Sequence, residues 1–314
     1  MDIVALFPGQ GSQKPGMGRD LADAFPEARA VFDRADEALG EALSALCFDG
    51  PADTLTLTHN AQPALLTHGA AVWAILRHQL GDKLRAAAGH SLGEFTAYHA
   101  VGMLDLADAV RLVRRRGELM YQTGVERPGT MAAILGDTNE PLEDICQRAS
   151  EDPEGGLVVP ANFNTFGQVV ISGEVAGVEK AMEMAKAAGA KRAIRLAVSG
   201  AFHSPLMEPA RKGLAIALDE IVLQTPAVPV YANVTTEPVR DTVVARQLLV
   251  DQLTAPVLWS SLVGRMVTDF PSALFVEMGP GNVLTGLMKK IAPAAQTASC
   301  GTAAEVEHLL ERAA

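Results

Sequence analysis

Ser91 lies in Gly89-His90-Ser91-Leu92-Gly93, a G-x-S-x-G pattern, with Glu94 directly after it. The apolar run Ala86-Ala87-Ala88 leads into the first glycine, and Phe95-Thr96-Ala97-Tyr98-His99-Ala100 continues past the second without a breaker. That reads as strand, sharp turn and helix. On such a turn the serine takes a strained backbone conformation at the helix N-terminus, and the glycines remove the Cβ atoms that would hold strand and helix apart. Its Oγ is then presented to a substrate, while the Leu92 N–H and the positive end of the helix dipole can stabilise an oxyanion. A plain turn serine in a glycine-rich chain is the competing reading; the flanking strand and helix favour the nucleophile.

A serine nucleophile needs a base, usually histidine. His99 lies two turns along the same helix and points away from the turn. His59, His68 and His78 lie in or before the preceding helix, and His308 belongs to a Glu-rich C-terminal helix. His203 differs, because Gly200-Ala201-Phe202-His203-Ser204-Pro205 places it in a loop whose glycine and proline set the backbone. An accessible position is expected for it. The alternative is a capping or core histidine, and no nearby acid completes a triad.

Two more residues could serve the same site. Ala109, Val113, Arg116 and Met120 recur at three- and four-residue intervals, which puts Arg116 on the apolar face of its helix and Arg111 and Arg115 on another. A guanidinium on a buried face needs a carboxylate or phosphate partner, and an internal acid or a bound anion would each meet that need. Gln10 closes the first strand in Phe7-Pro8-Gly9-Gln10-Gly11-Ser12-Gln13, where its amide can donate to an active site or simply fix the loop. The glycines there do not make a dinucleotide fingerprint, since Lys14 stands at the third glycine position and Pro15 follows.

The elements that must position these residues form an α/β pattern. Strands are expected at 3–7, before the serine turn, at 228–234 and at 274–277. Helical periodicity runs over 17–50, 62–80, 105–122, 259–267 and 283–291, with Asp105 as an N-cap. Between Gly124 and Gly200 the pattern changes to strand 131–135, helix 141–149, strands 157–163 and 168–172, helix 175–188 and strand 192–198. This is the β-α-β-β-α-β order of a ferredoxin-like unit. It predicts a small domain at 125–199 inserted into an α/β-hydrolase-like catalytic domain made of 1–124 and 200–314.

With 314 residues, 48% hydrophobic and 20% charged, the chain can bury one large core and a second smaller one. A formal net charge of -11 argues against nucleic acid or an anionic membrane as partner. Cys47, Cys146 and Cys300 are far apart and outside metal-ligand spacings, as in a reduced cytoplasmic protein, so no metal or bound cofactor is expected. The first seven residues lack the basic start of a signal peptide and no apolar run approaches transmembrane length.

Phe7-Pro8-Gly9-Gln10-Gly11-Ser12-Gln13, Gly89-His90-Ser91-Leu92-Gly93-Glu94, Arg116-Gly117, Gly200-Ala201-Phe202-His203-Ser204 and Glu277-Met278-Gly279-Pro280-Gly281 stand in this order and at these spacings. In this the chain resembles malonyl-CoA:acyl-carrier-protein transacylases from residue 3 to about residue 291. The resemblance implies a malonyl group carried from malonyl-CoA to the phosphopantetheine thiol of acyl carrier protein through a malonyl-serine, in fatty-acid biosynthesis, by a monomer. It implies Ser91 as nucleophile, His203 as base, Gln10 and the Leu92 N–H at the oxyanion and Arg116 as clamp on the malonyl carboxylate. It further implies that a backbone carbonyl in the Gln252 loop orients the histidine, which accounts for the missing acid. Phe202-His203 resembles the malonyl-selective form, and Asn162 and Asn164 resemble polar residues near the family's site.

Three other readings compete. A free-standing polyketide acyltransferase shares all these motifs. An α/β-hydrolase-type thioesterase would carry its acid and histidine late, after an uninterrupted sheet, whereas here the small domain precedes His203. An inactive docking module would leave Ser91, His203 and Arg116 unexplained.

Overall fold

The computed structural model describes residues 1–313, which form two sheets and the helices around them. Ten strands are labelled in chain order: β1 Ile3–Phe7, β2 Leu84–Gly89, β3 Gly129–Leu135, β4 Val158–Thr165, β5 Gln168–Glu174, β6 Arg192–Arg195, β7 Val230–Tyr231, β8 Pro238–Val239, β9 Leu274–Met278 and β10 Gln296–Cys300. The larger sheet has the order β10-β9-β1-β2-β7-β8. It is parallel except for β8, which runs antiparallel to β7. Every residue of β1 and β9 is buried, as expected of central parallel strands covered by helices on both faces.

The long helix before β2 spans Thr58–Leu80 and is buried over most of its length. It begins four residues before the expected 62, so Pro63 lies inside the helix, past its first turn, and does not mark its start. Strand β10 was not expected: Gln296-Thr297-Ala298-Ser299-Cys300 is a short, mostly polar run without apolar alternation, and it pairs only along β9 at the sheet edge. The strand expected over 228–234 is reduced to the two residues of β7.

The smaller sheet is antiparallel throughout, with the order β4-β5-β3-β6. Its β-α-β-β-α-β sequence runs from β3 through helix Leu142–Glu151, β4, β5 and helix Val175–Ala187 to β6. Residues of β3 alternate between two cores, as the period of a strand requires. Ala132 and Ile134 pack with Ile145, Cys146, Val178 and Ala181 of its own helices, whereas Met131 and Ala133 join the main core.

Close backbone contact ties the smaller sheet to the rest. A Cβ on Gly124 would lie 2.1 Å from the Ser199 carbonyl oxygen, so the chain leaves and re-enters the larger layer at one point that admits only glycine. The edge of β4 is bridged to the segment before helix Trp259–Asp269 through Phe163 N–H to Val257 O (2.9 Å) and Val257 N–H to Ala161 O (2.8 Å). That bridge covers a strand edge, and Asn164 on the same strand meets His90 just past the end of β2. No helix among the described residues is long and apolar enough to cross a membrane.

Candidate active site

Strand β2 ends at Gly89 and helix Leu92–Ala100 starts two residues later, so the chain must reverse across His90 and Ser91. It does so by placing Ser91 at φ 51°, ψ −103°, a conformation that costs on the order of 1–3 kcal/mol for a non-glycine residue. The surrounding residues hold it there. The Asn233 side chain accepts from Ser91 N–H at 2.7 Å and donates to Gly89 O at 2.8 Å, spanning the turn from both sides. A Cβ on Gly93 would stand 2.0 Å from the Phe7 carbonyl oxygen, so only glycine lets the helix sit this close to β1.

Ser91 Oγ lies 2.8 Å from His203 Nε2, and His203 Nδ1 lies 2.8 Å from the Gln252 carbonyl oxygen. A carbonyl can only accept, so Nδ1 carries the proton. Nε2 is then the acceptor for the serine hydroxyl. The imidazole is held neutral: burial first, and the Arg116 charge second, push its pKa down to about 3. His203 is only 4% exposed, which corrects the expectation of an accessible loop residue. The loop is capped by Ser204 and closed by helix Glu208–Asp219, so the imidazole reaches the serine from inside the protein.

Arg116 is 1% exposed on the inner face of helix Leu106–Glu126. Its Nη1 donates to Gln62 Oε1 at 2.7 Å, and its Nη2 donates to Gln252 Oε1 at 2.9 Å and to Ser91 Oγ at 3.0 Å. All three acceptors are neutral. The guanidinium also lies 5.2 Å over the Phe95 ring, and burial pushes its pKa down to about 9 against the opposing charge of Glu94. A desolvated cation bonded only to neutral oxygens is a receptor waiting for an anion, and this one touches the candidate nucleophile.

Of the other residues singled out from the sequence, some border this centre and others bond elsewhere. Leu92 is the first residue of its helix, so its N–H is one of the unpaired donors of the helix start, next to Ser91. The Gln10 amide turns to Thr58 Oγ1 at 3.2 Å, which in turn meets Ser199 Oγ at 3.1 Å. Asn164 Oδ1 bonds His90 Nε2 at 2.8 Å, and Asn162 is buried on β4 close by. His99 bonds Leu104 O and stays apart from the centre. Among the described residues no group of three or more His, Cys, Asp or Glu could hold a metal ion.

Sequence reasoning missed Gln62, Asn233 and a role for Glu94. Gln62 falls within an otherwise apolar helical stretch, and a wholly buried amide there is a signal that could have been noticed. Asn233 stands in Tyr231-Ala232-Asn233-Val234, where nothing local distinguishes it from a turn residue.

Residues 4–307 match the family model described as acyl transferase domain. Over 289 residues, 92% of this chain and 90% of the relative, the chain is 46% identical to the malonyl CoA-acyl carrier protein transacylase of Bacillus subtilis (strain 168). It is 44% identical over 286 residues to the protein of the same description from Escherichia coli (strain K12), covering 91% of each chain. Among solved structures, the acyl-carrier-protein-S-malonyltransferase of Bartonella henselae superposes with a TM-score of 0.94 at 42% identity, covering 100% of this chain and 99% of that one. A malonyl-transacylase solved in complex with a type II PKS acyl-carrier protein has a TM-score of 0.94 at 41% identity, covering 99% and 100%.

Proposed function

Since this chain belongs to the acyl transferase domain family, we propose that it carries malonyl from malonyl-CoA to the phosphopantetheine thiol of acyl carrier protein. The observation that carries this reading is the meeting of His203 Nε2 and Arg116 Nη2 on one atom, Ser91 Oγ, at 2.8 and 3.0 Å. A base activates the serine, and a guanidinium beside it selects an acyl group that ends in a free carboxylate.

The transfer runs in two balanced halves. Ser91 Oγ attacks the thioester carbonyl while its proton passes to His203 Nε2. The negative oxygen of the tetrahedral intermediate is met by the Leu92 N–H at the helix start, with Gln10 at the other side. CoA leaves as its thiol by taking the proton from His203, and malonyl remains as an ester on Ser91. The carrier-protein thiol then gives its proton to His203, attacks the ester and restores the serine hydroxyl. Throughout, the malonyl carboxylate lies on Arg116. It neutralises the charge that depresses His203, so a bound substrate makes the base stronger at the step that needs it.

The smaller sheet supports a division into an inserted ferredoxin-like domain at 125–199 and an α/β-hydrolase-like catalytic domain of 1–124 and 200–314. Its separate hydrophobic cluster and the single crossing point at Gly124 argue for that boundary. Phe202, buried beside the base, limits room for an α-branched acyl group. We take the enzyme to act as a cytoplasmic monomer, on the strength of its acidic charge and its three buried free cysteines. Fatty-acid biosynthesis is the pathway we favour. A polyketide role is the second reading, favoured by the partner of the structural relative, a type II PKS carrier protein.

Intact-mass analysis after mixing with malonyl-CoA tests the core of this function. One malonyl adduct that maps to Ser91 and is discharged by holo acyl carrier protein is expected. A protein that hydrolyses the thioester without passing malonyl to the carrier would be a thioesterase instead.

A further inference from the structure

Glu94 is a fully buried carboxylate three residues after the nucleophile, on the first turn of helix Leu92–Ala100, and the two half-reactions above give it nothing to do. Its Oε2 accepts from Gln252 Nε2 at 2.7 Å and from the Asn233 backbone N–H at 3.1 Å. These are the two residues that hold the catalytic pair: Gln252 O fixes the His203 ring, and the Asn233 side chain spans the Ser91 turn. One carboxylate oxygen therefore ties the nucleophile helix to both supporting segments.

The direction of the hydrogen bonds strengthens the point. The Ser91 carbonyl (3.1 Å) can only accept and Glu94 Oε2 accepts beside it, so Gln252 turns its NH2 group toward both. Its Oε1 is thereby aimed at Arg116, whose Nη2 it meets at 2.9 Å. With the amide reversed, its NH2 would face the guanidinium, donor against donor, and the carboxylate would face an oxygen. Glu94, together with the Ser91 carbonyl and Arg116, thus sets the orientation of the side chain that links the carboxylate receptor to the base.

We propose that Glu94 is the positioning residue of this active site, acting through Gln252 and Asn233 by the placement of its acceptor oxygen. The proposal rests on the transfer function above. Burial pushes the Glu94 pKa up to about 7, against the bonds from Gln252 and Asn233 and the Arg116 charge, so the core carries this acid at a cost in stability. The second oxygen, Oε1, has no hydrogen-bond partner, nor has the buried Tyr98 hydroxyl one turn further along the helix. Only the shared oxygen holds anything, which points to position as its use.

Two variants separate position from charge. Glu94→Gln keeps an acceptor at the same reach without the charge. Glu94→Asp keeps the charge and withdraws it by one methylene. The first readout is the His203 Nδ1–H resonance in 15N-histidine-labelled protein, identified by its absence in His203→Ala and independent of any substrate. The second is the single-turnover rate of Ser91 acylation by malonyl-CoA. Glu94→Asp is expected to broaden or shift that resonance and to slow acylation about a hundredfold, the scale of a misplacement of about 1 Å, with KM changed little. Glu94→Gln is expected to keep the resonance and to lose no more than about fivefold, well short of that positional penalty. Melting curves check the fold, and Glu94→Met, of similar length without an acceptor, replaces Glu94→Asp if that variant does not fold.

An Asp or Met variant with wild-type resonance and rate would overturn the proposal, as would a folded Gln variant as slow as Asp. Failure of the wild-type protein to accept malonyl would sink the transfer function, while the resonance would still report whether Glu94 holds the histidine.

Discussion

Replacing Arg116 by alanine separates recognition of the malonyl carboxylate from catalysis at the serine. In the free protein the guanidinium satisfies Gln62 Oε1 and Gln252 Oε1 and donates to Ser91 Oγ. Truncation leaves two buried acceptors without their donor, at about 1–3 kcal/mol each, so the variant should melt measurably lower yet remain folded. For malonyl-CoA the loss includes one partner of a buried charge pair, worth about 2–5 kcal/mol. Taking about 3 kcal/mol, kcat/KM falls on the order of 150-fold. Acetyl-CoA has no carboxylate and should lose only the contact to Ser91 Oγ, about tenfold or less for a single hydrogen bond. Arg116→Lys should recover little for malonyl, because an ammonium cannot offer two parallel donors. The assay is kcat/KM for both thioesters in each variant, with circular dichroism to confirm folding. If both substrates fall by the same factor, Arg116 serves the structure and does not read the acyl group.

Three further outcomes follow from the same geometry. His203→Ala should fold and slow acylation by at least about a hundredfold, the usual contribution of a general base; near-wild-type transfer would move the base elsewhere. Because burial and Arg116 hold His203 at about 3, kcat/KM for acylation should stay level from about pH 8 to pH 5, where an ordinary histidine near 6.5 would protonate and stop acting as a base. An acid limb centred near 6.5 would refute the neutral, depressed imidazole, and Arg116→Ala should raise the limb by removing the nearby charge. Treatment with EDTA should leave transfer unchanged, since the proposed function takes nucleophile, base and anion receptor from Ser91, His203 and Arg116; loss restored by a divalent ion would contradict that division of labour.

The serine turn was legible because it is local: two glycines, a strand and a helix within a dozen residues state their own geometry. Arg116 was legible as a face of a helix, but its surroundings were not. The sequence offered an internal acid or an anion as its partner, and the side chains that meet it are Gln62 and Gln252, 54 and 136 residues away along the chain. His203 was located by elimination and its exposure misjudged, since a glycine and a proline in a loop say nothing about what folds over them. Glu94 and Asn233 illustrate the general limit. Their roles are bonds between segments 139 residues apart, and no spacing in either segment announces the other.

On the proposed function, a backbone carbonyl in place of a triad acid suits an anionic substrate. A carboxylate at the place of the Gln252 carbonyl would orient His203 equally well and stabilise its imidazolium. It would also stand near Arg116, the proposed seat of the malonyl carboxylate. At a separation of, for example, ~6 Å, two negative charges repel by roughly 3 kcal/mol at an effective dielectric of about 20, enough to weaken the hold of Arg116 on an anion. A backbone carbonyl fixes the tautomer without adding charge. The acid that the site does contain, Glu94, is held behind the Gln252 amide and is itself pushed toward neutrality by burial. On the proposed function, Arg116 thus stays available to the malonyl anion, and the histidine gains basicity when that anion arrives.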